Sequence, residues 1–178
     1  SKTALLWKIA NGIETCKFQE DEDVAGAILS PDARFLASRK VYRTMRIWDI
    51  ASDKEVKCLG GEWPDAERVA FSPDGKHLAR ARRDSVIVLS EIRPCRELME
   101  LKGHETTYTR RGDAMGLSTM AFSPDGKRLA SGDLYGPIRI WDMASGKTLI
   151  QYKKHVGAIR AVAFSPDGRM VASGSEKP

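Results

Sequence analysis

The chain has 178 residues, 42% of them hydrophobic and 30% charged, a balance that fits a folded globular domain and excludes a disordered or collagen-like one. Its longest apolar runs, such as Val86 to Leu89, reach about four or five residues, far short of the roughly 20 that a membrane-spanning helix needs, so no membrane partner is expected. A formal net charge of +5 is modest enough that its placement matters more than its sum.

In chain order, "SKTALLWKIANG" lacks a leader pattern and an initiating Met, so it is expected to be an internal or processed start. "TALLWKI" and "GIETCKF" alternate as two strands, and the acidic stretch Glu20 to Asp23 follows. Then comes "LSPDARFLASRKVYRTMRIWDI" from Leu29, a worn copy of "AFSPDGKHLARARRDSVIVLSE" from Ala70. Further copies are "AFSPDGKRLASGDLYGPIRIWD" from Ala121 and "AFSPDGRMVASGS" from Ala163. Ser-Pro-Asp recurs at Ser30, Ser72, Ser123 and Ser165, at spacings of 42, 51 and 42 residues. The Trp-centred strands read Trp7, Trp48, Leu89 and Trp141, at spacings of 41, 41 and 52. One insertion of about nine residues therefore interrupts a fixed period, and it is placed in the loop "ETTYTRRGDAMG", 105–116.

Each copy reads as short strands. Ala161 to Phe164 runs into Ser-Pro-Asp-Gly, where Pro presets φ for a type I turn and Gly accepts the left-handed conformation. The next strand is resumed at Met170 to Ala172. In the preceding copy, Ile138 to Trp141 alternates, and Asp142 to Lys147 turns the chain into Thr148 to Tyr152. Four strands, a to d, fill each period.

A period of about 42 residues with four strands is the signature of a β-propeller blade. Trp48-Asp49 and Trp141-Asp142 supply a Trp-Asp dipeptide, Gly103-His104 a Gly-His, and Lys154-His155 its His; on these residues the chain resembles the WD-repeat family. The resemblance implies an all-β fold of propeller blades with four antiparallel strands each. About four blades are expected: strands c and d of a split blade at 1–19, complete blades at 24–59, 67–101 and 117–152, and strands a and b of a split blade at 158–175. The whole, 1–178, is a single propeller domain or part of one. Since family members usually close with seven or eight blades, three readings stay open: part of a longer propeller, a four-bladed ring, or a homodimer completing an eight-bladed ring.

The resemblance also implies a hydrogen-bonded tetrad of a His before strand a, a Ser or Thr on b, an Asp in the b–c turn and the Trp on c. The His position reads Glu20, Glu62, His104 and His155; the Ser position reads Ser38, Arg80, Ser131 and Ser173. Counted six before the Trp, the Asp position reads Tyr42, Arg83 and Tyr135, so no blade is expected to complete the tetrad. Apolar burial then has to hold the blades together. Structural roles follow for Trp48, Asp49, His104, Ser131, Trp141, Asp142, His155 and Ser173.

Three cysteines, Cys16, Cys58 and Cys95, are an odd count without metal-ligand spacing, which argues against a disulfide framework or a zinc site and for a reducing, cytoplasmic setting. No nucleophile, acid–base pair or phosphate-cradling motif is present, and His77 reads as a solvated side chain. No catalytic residue, metal or cofactor is assigned. The resemblance implies that the b–c and d–a loops share one face, which collects Arg39, Lys40, Tyr42 and Arg43; Arg80, Arg82 and Arg83; Tyr135; and Tyr108, Arg110 and Arg111 from the insertion. Tyr42, Arg43, Arg82, Arg83, Tyr108, Arg110, Arg111 and Tyr135 are the candidate partner-binding residues, because Arg and aromatic side chains supply interface anchors. The implied function is a non-catalytic interaction scaffold for a protein or peptide with an acidic segment, in a regulatory or sensing role like that of bacterial WD-repeat arrays. A nucleic-acid-binding propeller is the alternative, and a propeller enzyme comes third.

Overall fold

The computed structural model describes residues 2–10, 12–20, 23–40, 45–56, 68–82, 84–108 and 114–176. Every regular element among them is a β-strand. The chain divides into two compact units, Ser1–Asp65 and Ala66–Pro178.

The first unit holds an antiparallel hairpin, β1 (Thr3–Lys8) and β2 (Ile13–Gln19), and a four-stranded antiparallel sheet of β3 (Val24–Leu29), β4 (Phe35–Lys40), β5 (Met45–Asp49) and β6 (Lys54–Glu55) in sequence order. Ala4 and Phe18 from the hairpin meet Leu36 from the sheet in a buried cluster, with Trp48 packed against it. The Phe18 and Trp48 rings lie 5.4 Å apart.

The second unit contains two four-stranded sheets and two hairpins. One sheet is β7 (Val69–Phe71), β8 (His77–Ala81), β9 (Ile87–Glu91) and β10 (Arg96–Leu101). The inserted segment forms β11 (Thr107–Tyr108) and β12 (Ala114–Met115). The second sheet is β13 (Leu117–Phe122), β14 (Arg128–Asp133), β15 (Ile138–Asp142) and β16 (Thr148–Tyr152), and β17 (Ile159–Phe164) pairs with β18 (Val171–Ser175). The insertion is thus a short antiparallel hairpin, with Thr107 opposite Met115 and Tyr108 opposite Ala114, where the sequence suggests a loop.

The repeated turns form for local reasons. In each Ser-Pro-Asp turn the Ser hydroxyl donates to the Asp carboxylate, at 2.7 Å in Ser30–Asp32 and 2.5 Å in Ser123–Asp125. The same hydroxyl accepts an amide from the strand beyond, Phe35 or Arg128, at 2.9 Å. This sequesters the polar groups of a turn that must sit at the end of a buried strand pair. The fourth turn residue is left-handed: Gly75, Gly126 and Gly168 have φ of 67°, 69° and 68°, and Ala33 takes φ 56° without the freedom of glycine. At the other recurrent turn the Asp of Trp-Asp caps the c–d connection. Asp142 Oδ1 accepts from the Ser145 amide and hydroxyl at 2.7 Å each, and Asp49 Oδ1 accepts from those of Ser52 at 2.9 and 3.0 Å.

Register corrects one assignment made from spacing. In the second unit Trp141 pairs with Leu129 and Ile140 with Ala130, whereas Leu89 pairs with Ala79 and Ser90 with Leu78. Ser90, not Leu89, therefore stands where the next sheet has Trp141. Successive strand residues face opposite sides of a sheet, so a one-residue slip places a side chain in the wrong layer. The cysteines also depart from expectation. Cys16 is a free thiol, but Cys95 is disulfide-bonded, where the sequence argues against a disulfide framework.

Candidate functional site

One blade carries a complete polar relay. The indole Nε1 of Trp141 donates to Ser131 Oγ at 2.7 Å; Ser131 Oγ lies 2.6 Å from His104 Nε2; and His104 Nδ1 lies 2.8 Å from Asp133 Oδ2. Since Ser131 accepts from the indole, its own proton goes to Nε2, which leaves Nδ1–H to donate to Asp133. Asp133 Oδ1 then accepts the Tyr135 amide at 2.8 Å, so the relay ends by fixing the b–c turn on which Tyr135 stands. The expectation that no blade completes the tetrad is corrected here. Its acid is Asp133, eight residues before Trp141, and the count of six pointed instead to Tyr135.

The first unit builds a variant of the same device. Glu20 accepts from the Ser38 hydroxyl and, at 3.0 Å, from Trp48 Nε1, while Arg46 Nη1 lies 3.4 Å from its second oxygen. A buried carboxylate there takes the place of the ring. In the β7–β10 sheet the Ser position is Arg80, which is buried on β8 and ion-paired with Glu97, so it does not join the loop face where the sequence reading placed it. In the last hairpin, His155 Nε2 lies 2.9 Å from Ser173 Oγ.

The b–c turns and the insertion meet at Gly116. Its carbonyl accepts the Leu134 amide at 3.1 Å, from the turn that also carries Tyr135. On its other side a Cβ would come within 1.9 Å of the Ser85 hydroxyl in the β8–β9 turn. The hairpin β11–β12 is therefore rooted between two b–c turns, with Ser85 itself held at φ 61°. Gly136 makes the next such approach, since a Cβ there would lie 2.2 Å from the His155 carbonyl oxygen. At the opposite, Ser-Pro-Asp end of these sheets, a groove of about 650 Å³ is lined by Met99, Phe122 and Met143 among others.

Of the eight candidate partner-binding residues, Tyr42, Arg43, Arg83, Arg110 and Arg111 lie outside the described residues, and Tyr108 ends β11 opposite Ala114. Tyr135 is 43% exposed on its anchored turn. Arg82 is committed locally: it pairs with Asp84 at 2.6 Å and Glu100 at 2.7 Å, and Lys102 meets the second oxygen of Glu100 at 2.7 Å. The hydrogen bonds that Arg82 donates to Asp84 raise the Arg82 pKa, and the Arg82 and Lys102 bonds hold the Asp84 and Glu100 carboxyls below their ordinary range. Two cations answer two anions, so this cluster adds no net charge to the face.

Residues 95–142 and 146–177 match the family model described as WD domain, G-beta repeat. The chain is 29% identical over 136 residues to Protein groucho of Drosophila melanogaster, covering 75% of this chain and 17% of that protein. It is 29% identical over 160 residues to the guanine nucleotide-binding protein subunit beta of Nicotiana tabacum, covering 84% of this chain and 41% of that one. It thus spans less than half the length of either relative. A solved structure titled "Crystal Structure of Mitotic Checkpoint Complex" superposes with a TM-score of 0.79 and 22% identity over 98% of this chain and 53% of that chain, a likeness of fold. The chain is built of β-propeller blades, and its residues 95–142 and 146–177 are similar to WD40 repeats.

Proposed function

We propose that this chain is a non-catalytic scaffold of the WD-repeat type that binds a protein or peptide on the face formed by the b–c turns and the inserted hairpin. The observation that carries the reading is the rooting of β11–β12 between the Ser85 and Leu134 turns, beside the exposed Tyr135. A hairpin projecting from fixed turns is a rigid, adaptable contact element. The names of the relatives support it: one is a subunit of a guanine nucleotide-binding protein, and the superposed structure is a checkpoint complex. The ring and hydroxyl of the tetrad are consumed in holding the blade, which favours binding over chemistry. With Arg82 neutralised, an acidic partner segment would be met by Arg83, Arg110 and Arg111 of the second unit. The recurring Ser-Pro-Asp-Gly turns favour a signalling or sensing role of the bacterial type.

Selection of peptides from a random display library tests this. Selected peptides should lose at least tenfold in affinity to Tyr135→Ala or to Arg110→Ala with Arg111→Ala. Peptides that bind these variants unchanged would refute the site. Steeply salt-dependent binding of a single-stranded oligonucleotide, with no peptide selected, would favour nucleic acid instead.

A further inference from the structure

At the Ser-Pro-Asp end of the second unit, the groove between β7–β10 and β13–β16 leaves part of the apolar core half-covered. Leu89 belongs to the buried cluster around Trp141, and Leu98, Met99, Phe122 and Met143 pack against that cluster while only partly buried. These five side chains line the groove, and its volume of about 650 Å³ falls within the roughly 300 to 1,000 Å³ of ligand sites. The turns around it hold one another in place. A Cβ on Gly126 would meet Pro73 Cδ at 3.6 Å, and one on Gly146 would meet Met99 Sδ at 3.2 Å. The Met143 amide donates to the Lys127 carbonyl at 2.9 Å, which ties the β15–β16 turn to the β13–β14 turn. Two thioethers in a fixed frame make an apolar surface that adapts to its occupant.

Three turns each bring a carboxylate to this groove: Asp74 from β7–β8, Asp125 from β13–β14 and Asp142 from β15–β16. All three take the hydrogen bonds of their turns on Oδ1. The Ser72 hydroxyl and Lys76 amide donate to Asp74 at 2.5 and 3.0 Å, those of Ser123 and Lys127 to Asp125 at 2.5 and 3.0 Å, and those of Ser145 to Asp142 at 2.7 Å each. The turns thus use one oxygen of each carboxylate and leave Oδ2 for a cation. Although burial opposes the shift at Asp74, these bonds lower all three carboxyl pKa values, so each is anionic at neutral pH. Among the described residues, Lys127 is the one Lys or Arg in the lining, and His77, 3.7 Å from Asp74, is the other basic group. The groove is therefore acidic on a chain whose formal net charge is +5. The cavity one repeat on is lined by Arg128, Lys154 and Arg169 and by no carboxylate, so the acidic rim does not follow from the repeat alone.

We propose that this groove docks a peptide segment of a protein partner in which a large apolar side chain lies beside a Lys or Arg. The apolar side chain enters among Met99, Phe122 and Met143, and the cation is met by the carboxylates at the rim. Apolar burial supplies affinity, while opposite charge orients the segment and rejects acidic ones. The groove lies at the opposite end of the sheets from the b–c turns and shares no residue with the site proposed there, so either can stand without the other.

The test is selection from a random peptide display library on the full chain carrying Tyr135→Ala, Arg110→Ala and Arg111→Ala, so that recovered peptides cannot depend on the b–c face. They should carry a Lys or Arg within two residues of Leu, Ile, Met or Phe. They should bind at least tenfold more weakly to Met143→Lys, and to Asp125→Asn combined with Asp142→Asn, in which the amide oxygen still serves the turn. With isotope-labelled methionine methyls, such a peptide should shift the Met99 and Met143 resonances and leave that of Met170, outside the groove, in place; this locates the site even if a variant unfolds. Recovery of no peptide or of acidic ones, unchanged affinity for folded variants, or shifts that avoid Met99 and Met143 would overturn the proposal. So would a doubled molar mass of the chain that Met143→Lys abolishes, since the occupant would then be a second copy.

Discussion

The two inter-sheet gaps of the second unit are built from the same repeat, yet one is filled and the other is hollow. In the first, Trp141 is 1% exposed and completes a relay through Ser131, His104 and Asp133. In the second, Ile140, Phe164 and Val171 border a cavity, and Ser173 and His155 meet with no indole of the same unit among the described residues. The sides of both gaps are set by closely similar sequence, and the first gap differs in the Trp141 that fills it. A blade's faces are made by its own strands, but its buried state depends on what packs beside it.

Trp141→Ala would make the first gap resemble the second. It should destabilise the fold by about 3 to 5 kcal/mol, the cost of deleting a buried aromatic side chain, as read by urea denaturation. A loss below 1 kcal/mol would mean that the filled gap contributes little to stability.

Asp133→Ala and His155→Ala compare the relays. Removing Asp133 leaves the buried His104 Nδ1 without its acceptor and should cost about 1 to 3 kcal/mol. His155 is only partly buried, so its loss should cost about half as much or less. Equal costs would show that the completed network adds nothing.

Acid should act on both sides of the comparison alike. The Ser123 hydroxyl and Lys127 amide lower the Asp125 pKa, and the Ser165 hydroxyl and Arg169 amide lower that of Asp167. For Asp74, burial opposes the shift, but the Ser72 hydroxyl and Lys76 amide outweigh it. A lowered carboxyl stabilises the folded chain fully above its unfolded value, near pH 4, and that contribution is lost as pH falls through the folded value. Stability should therefore be flat from about pH 7 to 5 with respect to these groups and decline below about pH 4. In Asp125→Asn that decline should be shallower, as measured by thermal melts against pH.

The smallest effect is expected at the turn that departs from its copies. Ala33→Gly relieves a left-handed alanine at φ 56° and gives up some unfolded-state restriction, for a net gain of under about 1 kcal/mol. The reverse change, Gly126→Ala, should be destabilising in the same assay.

The errors of the sequence reading have a common cause. The turns were legible because their hydrogen bonds join residues two to five apart, such as Ser123 to Asp125 and Arg128. Asp133 was not, because its role depends on meeting His104, 29 residues earlier, in three dimensions. Ser90 was passed over because the 41-residue spacing from Trp48 leads to Leu89, and only strand pairing tells which face each occupies. Arg80 read as a loop cation until its place on β8 gave it Glu97 as a counter-ion. Of the partner-binding candidates, the motif reading supplied residue types, but the local pairing of Arg82 with Asp84 and Glu100 decided how much charge it can offer.

By itself the sequence determined the repeat, its period, its turns and the four-strand plan of each blade, because these rest on short-range chemistry and on an alternation that one strand carries alone. Tertiary structure decided which polar groups complete one another, where the insertion is rooted, and which apolar faces are covered. Those outcomes depend on contacts between strands far apart in the chain, where a single residue of register moves a side chain from one face of a sheet to the other.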